Sequence, residues 1–320
     1  MFSSGKSIAA IVVALMVDRG LLDYDEKVST YWPEFAKNGK DNITVADVMR
    51  HEGGLAHIRQ AMNIYDTLQD NLKDNAMGEM IENCKPYYLK TNFNHDGTFS
   101  YRSYHSVSRG WIINEIVRRV DQENRTIGEI VRQDINIPNL HCGLNDREMK
   151  NTRSFNFISP LWVVLQTLLP EKLGKKIEYN LWDFIKGGIA HRFLSLKECD
   201  ITRNIQNLKI IFKPFFAKKR QTFYLFDPYI WGKDSFIRGE NPSASCNGSA
   251  RGMAKLASTM ANRGITPEGE MLMGDNTWTK MHSGPKLARD GMIGKLWISY
   301  EFIIIFETNN ILIILSLRNI

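Results

Sequence analysis

Apolar residues run almost unbroken from Ile8 to Val17 (IAAIVVALMV), with Lys6 just before them and Asp18, Arg19 and Gly20 just after. Across residues 4–19 the pattern has no polar face, which predicts a helix buried on several sides rather than one resting on a core. Gly20 stops it. The stretch Leu21 to Phe35 mixes polar and apolar residues around Pro33 and reads as an irregular surface segment. Thr44 with Asp47 then has the spacing of a helix N-terminal capping pair for VADVMRH, which Gly53 and Gly54 close. A polar, amphipathic region follows to about Lys90, and the turn-rich run TNFNHDGTFSYRSYHS leads into a helix over Val107 to Val120 with clear 3.6-residue periodicity.

Between Asn145 and Gly239 the patterns weaken into aromatic patches without caps or repeats. This suits an insertion of helices and loops better than a second autonomous fold. Order returns at Asn241 to Gly264, where a Ser- and Gly-rich loop opens a helix of small and apolar residues. Near the end, Phe302 to Phe306 (FIIIF) and Ile311 to Leu317 (ILIILSL) are separated by Glu307, Thr308, Asn309 and Asn310. Both are β-prone and almost uncharged, the signature of aggregation-prone strands. Neither approaches the ~20 apolar residues of a spanning helix. Ile8 to Val17 lacks small residues spaced for cleavage and is followed at once by Asp18, Arg19 and Gly20, so a buried helix is expected there rather than a signal peptide.

Composition narrows the class. The 320 residues carry 41 Lys+Arg against 35 Asp+Glu, with 43% hydrophobic and 24% charged residues, which are ordinary globular values that exclude a disordered or fibrous chain. The surplus of +6 is mild. Its one cluster, Lys213 to Arg220, is too short for a phosphate-tracking surface, so no nucleic-acid partner is expected. Cys84, Cys142, Cys199 and Cys246 form no CxxC pair and indicate neither a zinc ribbon nor a disulfide framework. A reducing, intracellular location, cytoplasmic or mitochondrial, follows as the expectation. His51 and His57 miss helical i, i+4 spacing and no HExxH occurs, so no metal or other cofactor is expected.

The candidate chemistry lies at the start of the buried helix. Ser3 and Lys6 are three apart, so they project from one helix face and can touch. A serine hydroxyl is a poor nucleophile until a neighbouring base takes its proton, and a lysine serves only where desolvation and nearby cations keep its amine neutral. Moving a lysine pKa from about 10.4 to about 7 requires roughly 4 to 5 kcal/mol of differential environment. Ser283 to Lys286 repeats the SxxK spacing, but Pro285 makes that copy a loop or helix start with no apolar helix after it. Because Lys6 stands so near Met1, its side chain is expected to be solvated and protonated.

The order of neighbouring motifs sharpens this. The run FSSGKSIAAIVVALMVDRGLLDYDEKVSTYWPEF, followed by ITVADVMRHEGGL, resembles the serine β-lactamase-related family. That family holds class C β-lactamases, related esterases and penicillin-binding proteins, and the mitochondrial lactamase-like serine protease. His51, Gly53, Gly54 and Leu55 match its His-x-x-Gly-Leu turn, and Tyr104, His105 and Ser106 stand where its Tyr-x-Asn motif would be. The segment ENPSASCNGSARGMAKLASTMANRG is similar to its helix behind the active site.

The resemblance implies an α+β, β-lactamase/transpeptidase-like fold: an antiparallel sheet with flanking helices, plus an all-helical region. With only Met1 and Phe2 before Ser3, the sheet is expected to be incomplete. The chain would divide into residues 1–144 with the SxxK helix, a variable insertion at 145–239, a helical region at 240–294 and an unmatched apolar tail at 295–320.

By the same resemblance, Ser3 would be the acyl-accepting nucleophile, Lys6 its base and Tyr104 the proton shuttle to the leaving group. Tyr101 is the rival register for the tyrosine. Ser106 would line the substrate site in place of the usual Asn, and His282, within His282-Ser283-Gly284, would be a weak match to the third, strand-borne motif. The implied activity is hydrolysis of an ester, amide or peptide through an acyl-enzyme, with a small-molecule or peptide acyl substrate. A lactamase-like binding or scaffold protein without catalysis, or an incomplete gene product, is the alternative. An unrelated helical binding protein is the third.

Overall fold

The computed structural model describes residues 1–56, 58, 65–86, 102–152 and 234–283, together with the backbone at 62–64, 222–223, 286–290, 294–298, 305–308 and 311–314. Tyr101, His57, His95, Cys199, the Lys213 to Arg220 cluster, Gly284 and Pro285 lie outside the described residues, as does most of the 145–239 insertion.

The described helices in chain order are α1 (Gly5–Asp18), α2 (Val28–Tyr31), α3 (Val45–Met49), α4 (Gln69–Lys73), α5 (Ala76–Asn83), α6 (Ser108–Val120), α7 (Ile127–Ile130), α8 (Asp146–Asn151), α9 (Asp234–Arg238), α10 (Ala250–Ala261) and α11 (Asp275–His282). A single 3-10 turn, Phe2–Ser4, leads into α1. The uniformly apolar stretch behaves as its pattern predicts. Residues Ile8 to Met16 are all buried, and α1 packs against α6, α7 and α11. Each fully buried Ile or Leu there contributes on the order of 1.5 to 3 kcal/mol, so α1 is the spine of the helical part. Trp32, Phe35, Tyr24 and Trp111 fill the space around it.

Thr44 caps α3 as its spacing predicts. Its hydroxyl accepts from the Asp47 amide at 3.1 Å, and the Asp47 carboxylate accepts from the Thr44 amide at 3.0 Å. The end of α3 differs from expectation. The chain turns out of the helix at His51, which takes a left-handed φ of 64°, before either glycine is reached. A non-glycine residue held there is uncommon and is sustained by its surroundings, which in this case are the groups of the site described below.

The described strands fall into three small antiparallel sets. β1 (Met62–Asn63) pairs with β3 (Thr222–Phe223), and β2 (Leu140–His141) pairs with β4 (Asn247–Gly248). The third is a meander of β5 (Lys286–Asp290), β6 (Gly294–Ile298), β7 (Ile305–Thr308) and β8 (Ile311–Ile314). The β-prone tail thus pairs with itself, with Thr308 opposite Ile311 and Leu296 opposite Phe306. Lys286 opens a strand, so the second SxxK copy does not start a helix. The architecture is α+β, with helices and a small antiparallel sheet.

Candidate active site

Three chain segments separated by about a hundred residues or more converge at the first turn of α1. The Lys6 amine nitrogen lies 3.2 Å from Ser3 Oγ, as their i, i+3 spacing requires. The Tyr104 hydroxyl donates to Ser3 Oγ at 2.7 Å. Lys6 Nζ donates to the Ser106 carbonyl at 2.6 Å and to the Ser243 carbonyl at 3.2 Å, and stands 5.0 Å from the centre of the Tyr104 ring.

Lys6 is not solvated, contrary to what its position near the start of the chain suggests: it is 1% exposed. Its surroundings consist of α1, the Tyr104 segment and the loop carrying Ser243, which cover it from three directions. Burial pushes its pKa well below the ordinary lysine value, and the buried Arg109 guanidinium pushes the same way, opposed only in part by the Cys246 thiol.

A second buried lysine shows what is particular about this one. Lys40 Nζ donates to the carbonyls of Lys37, Glu82 and Cys84 at 2.7, 2.9 and 2.7 Å, so three hydrogens meet three groups that can only accept. That is a satisfied ammonium, its pKa lowered to about 8 by burial. At Lys6 one of the partners is a hydroxyl, which can also donate. A neutral Lys6 amine keeps both carbonyl bonds and offers its lone pair to the Ser3 hydroxyl.

The loop that supplies Ser243 approaches because two helices carry glycines at the contact. A Cβ on Gly5 would meet the Pro242 carbonyl oxygen and stand 2.9 Å from Cys246 Sγ. One on Gly110 would meet Asn241 Oδ1 and stand 2.6 Å from the Ser243 amide. The Asn241 side chain holds the loop by accepting from the Ser243 amide at 2.8 Å. Tyr104 is placed by its neighbours in turn. Arg102 forms a buried ion pair with Glu52 at 2.6 Å, and the Ser103 amide donates to the His51 carbonyl at 3.1 Å. The His51 and Tyr104 rings lie 5.0 Å apart.

The structure therefore brings Ser3, Lys6 and Tyr104 together. Ser106 joins them through its backbone carbonyl, while its own Oγ is buried without a hydrogen-bond partner among the described residues. His282 does not join them in the manner expected of a strand-borne motif. It is the last residue of α11, its Nδ1 2.7 Å from the Trp278 carbonyl and its ring stacked on Trp278 at 4.0 Å. The helix fixes it there, because Gly274 and Thr277 of the same segment bond to Asp18 at the far end of α1 from Ser3.

Sequence reasoning missed His105, Arg109 and Ser243. His105 sits inside the Tyr-x-Ser triplet, and Arg109 is a charged residue on the otherwise apolar start of α6, so both left a trace. Ser243 acts through its backbone and left none.

The beta-lactamase family profile matches residues 1–301. The chain belongs to the beta-lactamase family. Over 145 residues it is 33% identical to the Esterase/beta-lactamase LipL of Mycobacterium tuberculosis (strain ATCC 25618 / H37Rv), covering 45% of this chain and 30% of that protein. Among solved structures, a penicillin-binding protein homolog from Caulobacter crescentus aligns with a TM-score of 0.64 at 23% identity, covering 97% of this chain and 67% of that one. A family VIII carboxylesterase aligns at 0.62 and 23%, covering 96% and 67%. These likenesses show the fold. The matched region spans less than a third of the curated relative's length. Among the described residues no helix is long and apolar enough to cross a membrane, and no group of His, Cys, Asp or Glu is arranged to hold a metal ion.

Proposed function

We propose that this beta-lactamase-family chain is a serine hydrolase that cleaves an ester, amide or peptide through an acyl-enzyme, with Ser3 as nucleophile, Lys6 as base and Tyr104 as proton shuttle. The observation that carries this reading is a 1% exposed lysine whose amine lies 3.2 Å from the Ser3 hydroxyl. In the resting site the neutral amine donates to the Ser106 and Ser243 carbonyls and accepts the Ser3 proton, while the Tyr104 hydroxyl donates to Ser3 Oγ.

As Ser3 Oγ bonds to the substrate carbonyl carbon, its proton passes to Lys6, and negative charge moves onto the carbonyl oxygen. Collapse of the tetrahedral species breaks the bond to the leaving group. That group takes a proton from Tyr104, which is replenished from the Lys6 ammonium. Water then reverses the sequence, releasing the acid and restoring the serine hydroxyl. The depressed lysine pKa and the nearby Arg109 cation both favour this traffic, since a phenol beside positive charge gives up its proton more readily.

Likeness to an esterase/beta-lactamase and to a carboxylesterase fold supports small acyl substrates as the first to test. Treating the purified chain with a fluorophosphonate probe, and separately with a labelled β-lactam, is expected to give labelling that Ser3→Ala abolishes. Well-folded protein that takes up neither probe would overturn the reading in favour of a lactamase-like binding protein.

A further inference from the structure

The hydrogen bonds around two histidines settle where their protons must be. His105 Nδ1 lies 2.6 Å from the Ser103 carbonyl, which can only accept, so Nδ1 carries a hydrogen. The Leu55 amide, which can only donate, points at His105 Nε2 from 3.0 Å, so Nε2 presents a lone pair. The His105 amide points in the same way at His51 Nδ1 from 3.0 Å, so that atom is bare as well. Both rings are fully buried. Both are tied to the backbone on either side of Tyr104: the Ser103 amide reaches the His51 carbonyl at 3.1 Å, and the His105 amide reaches the His51 ring.

We infer that His51 and His105 are positioning residues for the Tyr104 phenol, and that they hold it only as neutral imidazoles, His105 as the Nδ1–H tautomer and His51 with an unprotonated Nδ1. This rests on the reading of Tyr104 as the proton shuttle. Protonating His51 at Nδ1 would turn its bond from the His105 amide into two facing N–H groups and release one of the two pins beside Tyr104; protonating His105 at Nε2 would do the same to the Leu55 amide bond that holds its ring. The charged and titratable groups facing the pair make that costly. Arg109 comes from α6, Lys6 from α1, and Arg102 from the segment before Tyr104, where it is neutralised by Glu52, itself also held by Arg50; the Tyr104 phenol completes the set. Burial first, and then the Arg109 and Arg102 guanidiniums, keep His51 well below the ordinary histidine pKa. The same environment that disfavours an ammonium at Lys6 disfavours an imidazolium behind it, so one desolvated, cationic surrounding serves base and scaffold together. The left-handed φ of 64° at His51 aims its ring and its carbonyl at the Tyr104 segment at once.

Two measurements on the full chain test this. Nitrogen-15 NMR of the histidine rings at neutral pH is expected to show His105 protonated at Nδ1 and bare at Nε2, and His51 bare at Nδ1. His105 in the opposite tautomer, or either ring titrating like a free histidine, would overturn the inference. Separately, the fluorophosphonate labelling rate is expected to fall about 100-fold in His51→Phe, as a phenol displaced by an ångström implies, and to recover largely in His51→Asn, whose Oδ1 can take the place of Nδ1. A folded His51→Phe that labels at the parent rate would also overturn it, and so would a His51→Asn no better than His51→Phe. If the parent chain is not labelled at all, the hydrolase reading fails by itself, and the ring spectra still decide the placement of the two imidazole protons.

Discussion

Lys6 and Ser243 lie 237 residues apart in the chain, yet the amine of one donates to the carbonyl of the other at 3.2 Å. That contact exists because Gly5 leaves room for Pro242 and Cys246 to lie against α1. Gly5→Ala would force the loop outward, since backbone and a buried sulfur are what the new methyl would meet. Overpacking of this kind costs about 1 to 3 kcal/mol. The expected outcome is a lowered thermal midpoint together with slower probe labelling, because Lys6 loses an acceptor. A variant with parent stability and labelling rate would show that the loop does not hold the lysine.

The acylation rate should follow the neutral fraction of Lys6. It is expected to rise with pH through the depressed lysine pKa and to level off well below 10.4, and Lys6→Arg should abolish labelling because a guanidinium stays protonated. The same shift sets a stability slope. Between the folded pKa and about 10.4 the unfolded chain binds more protons at this site than the folded chain does, so the folded form gains stability as pH rises through that window. Below the folded pKa the penalty is complete. Denaturant titrations of parent and Lys6→Met across pH 6 to 11 should therefore show the parent gaining on the variant as pH rises; a constant difference would mean that the amine is not perturbed.

Much of this was legible in the sequence for identifiable reasons. The apolar run from Ile8 to Val17 favours a buried helix over a signal peptide, Thr44 and Asp47 have the spacing of a cap, and the i, i+3 spacing lets Ser3 and Lys6 touch. Tyr104 followed from its place just before α6, and its hydroxyl does reach Ser3. Desolvation of Lys6 was not legible, because the covering surface comes from Ser106 and Ser243 through backbone carbonyls that any residue type possesses. The stop at His51 was hidden in the same way: two glycines follow it, and only the tertiary bonds of the His51 ring and carbonyl explain why the turn comes earlier.

Arg102 and Glu52 join the two motif segments through a buried pair, with Arg102 Nε and Nη2 reaching one carboxylate oxygen at 3.1 and 2.6 Å. The side chains are 1% and 2% exposed. Removing Arg102 leaves Glu52 buried with Arg50 still 3.2 Å from its other oxygen, so the ~3 to 5 kcal/mol of an unpaired buried charge is an upper bound. Arg102→Ala is expected to lower stability by up to that amount in chemical denaturation and to reduce labelling in whatever folded fraction remains, since Tyr104 follows two residues later. A loss below 1 kcal/mol would mean that Arg50 alone compensates the Glu52 charge.

Glu240 offers the opposite test, a buried carboxylate whose removal can help. One of its oxygens accepts from the Thr126 hydroxyl at 2.9 Å, the other from the Gly128 amide at 3.1 Å and the Asn114 side chain at 3.3 Å. These bonds favour the charged form, but burial outweighs them and raises its pKa. Between the ordinary glutamate value and the raised one the folded chain binds more protons than the unfolded chain, so this site contributes stability at acid pH that is lost as pH rises through the window. Glu240→Gln should remove that slope. Its amide oxygen can serve Gly128 and Asn114, while its NH2 donates to Thr126, whose hydroxyl proton is free to turn to Glu129 Oε2, 3.3 Å away. The variant is expected to match or exceed the parent at pH 7.5 in urea denaturation and to lose its advantage near pH 4.5. Glu240→Ala, which orphans the buried Gly128 and Asn114 donors, should instead cost about 1 to 3 kcal/mol for each. A Gln variant as damaged as the Ala variant would show that the carboxylate charge itself holds α6 and α7 together.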